Sequence, residues 1–115
     1  MTAAAPALTV LVATSGRGRT VRRTLLHLHA QTIADRVEVI LIGPEASSFD
    51  DLAPVETAGF AHCRRLDIGP FDEVERAFVP GIRAATAPLV ALLENHVYPE
   101  PGWAAAIVRA FEGPW

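Results

Sequence analysis

Glu94 and His96 stand two residues apart at the end of a strongly apolar run, Pro88-Leu89-Val90-Ala91-Leu92-Leu93. Residues two apart at the end of an extended strand point the same way, so a carboxylate and an imidazole can face one crevice beyond the strand end. Such a pair can hold a divalent cation. Imidazole suits manganese, iron or zinc better than magnesium, so a site on His96 tilts toward manganese-like ions. The competing reading makes both residues polar members of a loop that runs into Pro99-Glu100-Pro101-Gly102. Arg17, in the loop after the first apolar run, is either a phosphate-contacting guanidinium or a solvated arginine. The hydroxyl of Thr14 either meets a ligand or caps the following helix.

Other combinations fail on spacing or residue type. Ser15-Gly16-Arg17-Gly18-Arg19 lacks the third glycine of a dinucleotide fingerprint, because position 21 is Val21. His27 and His29 lie two apart on a predicted helix and face different ways, as surface or core histidines do. Cys63 is the single cysteine, so it has neither a disulfide partner nor a second thiolate for zinc. Trp103, at a helix start, fits a packing anchor better than a sugar platform. The chain carries ten arginines and no lysine, which excludes a Walker-type phosphate loop, a Schiff-base amine and a lysine general base. A net charge of -3 without a long single-sign run argues against nucleic acid as a partner. The lone thiol fits a reducing, cytoplasmic setting. The stretch Ala3 to Val12 is too short for a membrane span and lacks the basic leader of a signal peptide.

These residues need elements to position them. At 115 residues the chain has room for one core, burying about two-thirds of its unfolded surface. Leu8 to Ala13 and Val37 to Ile42 read as buried strands, the second stopped by Gly43-Pro44. Between them, Arg19 to Gln31 carries Val21, Leu25 and Leu28 at helical spacing. Ser47 to Ala58 reads as a short helix or loop, and Phe60 to Ile68 as an outer, more polar strand. Glu73 to Ala85 reads as a helix kinked or interrupted at Pro80-Gly81. Pro88 to Leu93 is the last strand and Trp103 to Phe111 the last helix. Alternating strands and helices predict a three-layer α/β/α sandwich on a mostly parallel sheet. Its ligand would sit beyond the carboxyl ends of the strands, at the loops Thr14 to Gly18, Gly43 to Ser47 and Glu94 to Val97.

From about Leu8 to Phe111 the order of these pieces resembles family 2 glycosyltransferases. Three stretches carry the resemblance. The first is Val10-Leu11-Val12-Ala13-Thr14 with Arg17, then Thr24-Leu25-Leu26 and Ala30-Gln31-Thr32, similar to the family's opening strand and "L..L..QT" helix. The second is Glu38-Val39-Ile40-Leu41-Ile42. The third runs from Gly81-Ile82-Arg83-Ala84-Ala85-Thr86 through Val90 to His96 and on to Pro99-Glu100-Pro101-Gly102-Trp103, similar to "G...A.G..I.FLD.D" and "P.PGW". There are departures. Gly43 stands where the family has an aspartate at the second strand end, Val79 where it has an asparagine, and Glu94-Asn95-His96 where it has Asp-x-Asp.

The resemblance implies an incomplete GT-A type fold, residues 1–115 forming one partial domain that is the nucleotide-sugar-binding half. It implies a nucleoside-diphosphate sugar as donor and an acceptor hydroxyl, on a glycan or lipid the sequence does not specify. Ala13, Thr14, Arg17, Gly43 and Glu94 occupy the nucleotide-binding positions, and Glu94 and His96 the metal positions, with manganese or magnesium as the expected cofactor. No residue of this chain takes the catalytic-base role, so the 115 residues alone are expected to bind weakly and not to turn over. A cytoplasmic enzyme, peripheral at a membrane, is the implied setting. The rival reading is a non-catalytic nucleotide-binding or interaction module on the same fold with its acidic motif lost.

Overall fold

Leu8–Ala13 (β1) and Val37–Gly43 (β2) are buried along their whole length. Strands covered on both faces have no side turned to solvent, which is why both are apolar apart from Thr9 and Glu38 rather than alternating. The computed structural model describes residues 5–15 and 18–113. His62–Asp67 (β3) pairs with the outer edge of β2, and Val90–Glu94 (β4) with the opposite edge of β1. The sheet order is β3-β2-β1-β4 and all the pairings are parallel.

One face is covered by the helices Arg22–His29 (α1) and Trp103–Ala110 (α4), with Leu25, Leu28 and Ala104 packed on Val10, Val12, Val39, Leu41 and Leu93. Phe49 and Leu52 extend this cluster ahead of the single turn Pro54–Thr57 (α2). The other face is covered by Glu75–Ala84 (α3), whose Ala77 joins Leu11, Ala13, Ile40 and Ile42. The result is the expected α/β/α sandwich on an all-parallel four-stranded sheet, an arrangement compatible with a Rossmann-like fold. The chain winds outward from β1 to β3, then crosses back to β4 on the far side of β1 with its connecting helix on the opposite face. That reversal between β1 and β4 is the topological switch point, where open α/β sheets bind ligands.

Two helices differ from expectation. Instead of one helix from Arg19 to Gln31, a 3-10 turn over Gly18–Val21 leads into α1, which stops at His29. Gln31 is drawn out of the helix because its side chain bonds the Glu100 carbonyl at 2.6 Å and the Ala104 amide at 2.9 Å. Pro80 does not interrupt α3, which runs through it from Glu75 to Ala84. Proline deprives only the carbonyl four residues back, that of the exposed Arg76, which water can serve. What holds the segment down is Gly81: a methyl group there would stand 2.7 Å from Ile42 Cδ1 and 2.8 Å from Leu11 Cδ1, so the helix backbone lies directly on the sheet. No helix among the described residues is long and apolar enough to cross a membrane.

Candidate functional site at the switch point

The parallel register sets Ala13 beside both Ile42 and Glu94, and Gly43 beside Asp67. The loops at Thr14, Gly43 and Glu94 therefore leave the same edge of the sheet, as the switch-point rule predicts. Ala13 is wholly buried and contributes to the core. Arg17 lies outside the described residues.

Glu94 and His96 come together: Oε2 of Glu94 and Nε2 of His96 are 3.1 Å apart, with roughly half of the first side chain and most of the second exposed. The i, i+2 spacing survives the turn that ends β4, closed by the Val97 amide donating to the Glu94 carbonyl. A carboxylate and an imidazole at this separation can pair with each other when His96 is protonated, or turn two ligand atoms toward one cation when it is neutral. Among the described residues no third His, Cys, Asp or Glu converges with them on a metal-sized position. Any cation here would take its remaining ligands from outside these side chains.

Asn95, between them, works inward. Its Nδ2 donates to the hydroxyls of Thr14 at 3.0 Å and Thr20 at 3.1 Å, and these two oxygens lie 3.2 Å apart. The Thr24 hydroxyl lies 3.0 Å from the carbonyls of both Asn95 and Val97. The loop after β1, the start of α1 and the loop after β4 are thus tied into one unit. Thr14, 2% exposed, takes part in this tie through its hydroxyl, and among the described residues α1 has no side-chain N-cap. Sequence reasoning treated Asn95 as the spacer between two ligands. A signal was present: in a strand-end triplet the middle residue faces opposite its neighbours, and that direction leads to the threonine-rich start of α1.

The next turn is fastened as firmly. Thr32 N donates to the Pro101 carbonyl at 3.0 Å, beside the Gln31 bonds, so the Gln-Thr pair locks onto the Pro-Glu-Pro-Gly turn. His27 approaches the Pro99 carbonyl at 3.3 Å and His29 the Glu56 carbonyl at 2.8 Å, on different flanks of α1. Both histidines are tethers. Arg23 lies 4.4 Å above the Tyr98 ring. Trp103 packs against the core around α1 and α4, as an anchor does.

Gly43 is buried rather than open. A methyl group on it would sit 2.7 Å from Ser48 Cβ and 3.0 Å from the Phe49 ring, because the turn over residues 45–48 folds back across the strand end. A side chain projecting here toward a ligand would displace that turn.

At the other end of the sheet lies a group the sequence reading did not single out. Glu38 is fully buried, and its two oxygens receive the Thr9 hydroxyl at 2.8 Å, the Thr86 amide at 2.9 Å and the Thr86 hydroxyl at 3.0 Å. Arg64 Nη2 and His62 Nδ1 each lie 3.2 Å from Oε2. Burial pushes this carboxyl upward, but the bonds from Thr86, Thr9 and His62 outweigh it and hold the group below the ordinary carboxylate range. Compared with known proteins, the chain matches no family model and no curated sequence.

Proposed function

We propose that the crevice beyond β1 and β4 receives a nucleoside-diphosphate sugar, and that this chain is the donor-binding half of a family 2-like glycosyltransferase of GT-A type. The observation that carries the reading is the convergence of Glu94 and His96 at the switch point, on a loop pinned by Asn95 to Thr14 and Thr20. Glu94 and His96 would hold a manganese-like cation, which supplies charge neutralisation for the departing diphosphate. Arg17 would contact the phosphates. The acceptor hydroxyl attacks the anomeric carbon as the nucleoside diphosphate leaves, and the carboxylate that removes its proton comes from outside these residues.

The rigid loop tie supports this role because a site that binds a charged leaving group works best when its ligands are held before the ligand arrives. The test is a thermal-shift panel of nucleoside diphosphates at millimolar concentration, with and without manganese. Even weak binding raises Tm when ligand exceeds Kd. A rise that one base elicits best, and that manganese enlarges, is expected. If no nucleotide shifts Tm, Glu94 and His96 are an ordinary ion pair on a loop.

One observation favours a second reading. The space at Gly43 that a nucleotide-recognising carboxylate would need is filled by Ser48 and Phe49. A non-catalytic module that binds nucleotide without a metal accommodates this, and it predicts a Tm rise indifferent to manganese.

A further inference from the structure

The connection from α3 back to β4 is attached to the sheet chiefly through polar groups. Thr86 gives both its amide and its hydroxyl to Glu38. The Ala87 amide donates to the Thr9 hydroxyl at 3.2 Å, and that hydroxyl donates onward to Glu38. Arg64 spans the two sides, reaching Glu38 and donating to the Ala84 carbonyl. Residues 84–87 are thus held by one carboxylate on β2 and the side chains gathered round it. The strand they deliver lies at an edge of the sheet: β4 pairs with β1 alone, and Val90 and Leu92 are substantially exposed.

We infer that Glu38 is a latch on this crossover, holding residues 84–87 and β4 against the sheet while its carboxylate is ionised and releasing them as a unit when it is neutralised. The reason is donor–acceptor arithmetic. A carboxylate accepts at both oxygens, and its neighbours are donors; a neutral carboxyl must donate from one of them. The threonine hydroxyls can rotate to accept that proton. Accepting it reverses the bond that hydroxyl donated, and the Thr86 amide and the Arg64 guanidinium lose the charge that strengthens their contacts, so the bonds holding the crossover weaken together. The charged and titratable groups facing Glu38 are His62 and Arg64, both from β3; β1 and the crossover contribute the uncharged Thr9 and Thr86. Cys63, beside Val39 in register, belongs to the opposite face.

The sign of the pH effect follows. Glu38 is held below its ordinary value of 4.5, so the latch is complete above that value and is lost as pH falls through the lower folded-state pKa. Release stays local because β1 and β2 are buried on both faces and pair with each other independently of the crossover.

Hydrogen exchange read by mass spectrometry tests this, using protection factors so that the intrinsic pH dependence of exchange cancels. From about pH 7 to about pH 3, a span bracketing carboxylate titration, protection over residues 84–94 should fall about tenfold or more, the scale of one charged hydrogen bond. Protection over 8–13 and 37–43 should hold. In Glu38→Gln, residues 84–94 should already be unprotected at neutral pH and no longer respond to acid. Thr86→Val should give a smaller loss confined to the same residues; it and the wild-type pH series decide the matter if Glu38→Gln does not fold. Protection over 84–94 that stays unchanged, or that falls in step with β1 and β2, overturns the latch.

Discussion

The two ends of this sheet solve the placement of a charged side chain in opposite ways. At the amino end, Glu38 is buried and saturated, with donors from β1, β3 and the α3–β4 crossover. At the carboxyl end, Glu94 faces His96 and solvent, and the rigid polar contacts belong to Asn95 behind it. The first arrangement leaves no acceptor capacity for a ligand, and removing it leaves donors stranded. The second leaves lone pairs free and costs the fold little to alter. A carboxylate in a strand is evidence of function only when its surroundings leave it something to do.

That contrast can be broken by measurement, beginning with the largest effect. Glu38→Ala should lower unfolding free energy by about 3 kcal/mol in chemical denaturation, the low end for a buried ion pair stripped of one partner, because Arg64 and His62 are half-exposed and can turn to water. A loss below about 1 kcal/mol, the worth of an exposed pair, would erase the distinction between the two ends. Gly81→Ala should cost about 1–3 kcal/mol by overpacking against Leu11 and Ile42. A neutral result would mean α3 can lift from the sheet more easily than the close approach implies.

Asn95→Ala should cost about 1 kcal/mol, because two hydrogen bonds to Thr14 and Thr20 are exchanged for water at a half-buried position. Its more telling readout is nucleotide response: if the loop tie pre-organises the crevice, any thermal shift seen in the wild type should shrink even though Glu94 and His96 remain. Smallest of all, Glu94→Gln should change stability by no more than about 0.5 kcal/mol, the scale of an exposed pair, while abolishing any manganese enhancement. A large stability loss there would make the pair structural.

Much of this layout was legible because it rests on local patterning. The strands, their parallel order and the common edge of the three loops follow from apolar runs alternating with helical periodicity. The meeting of Glu94 and His96 follows from period two. Asn95 and Glu38 were opaque for a different reason: their partners lie in other elements, at Thr14, Thr20, Thr9, Thr86 and Arg64. A faint trace was available in hindsight. Thr9 and Glu38 each occupy the second position of an otherwise apolar strand, and parallel strands in register set those positions side by side. Pro80 misled because helix propensity was weighed without the packing of Gly81 on the sheet.

The single cysteine carries an experimental consequence. Cys63 lies on the outermost strand, and burial pushes its thiol up to about 11. Near pH 8 its thiolate fraction is therefore lower, by about two orders of magnitude, than that of a free cysteine, and alkylating reagents attack only the thiolate. Modification of the folded chain should be slow, and accelerate only when β3 peels from β2 far enough to hydrate the sulfur. The rate of single-site iodoacetamide labelling then counts those excursions directly, a chemical clock for the opposite margin of the sheet from β4.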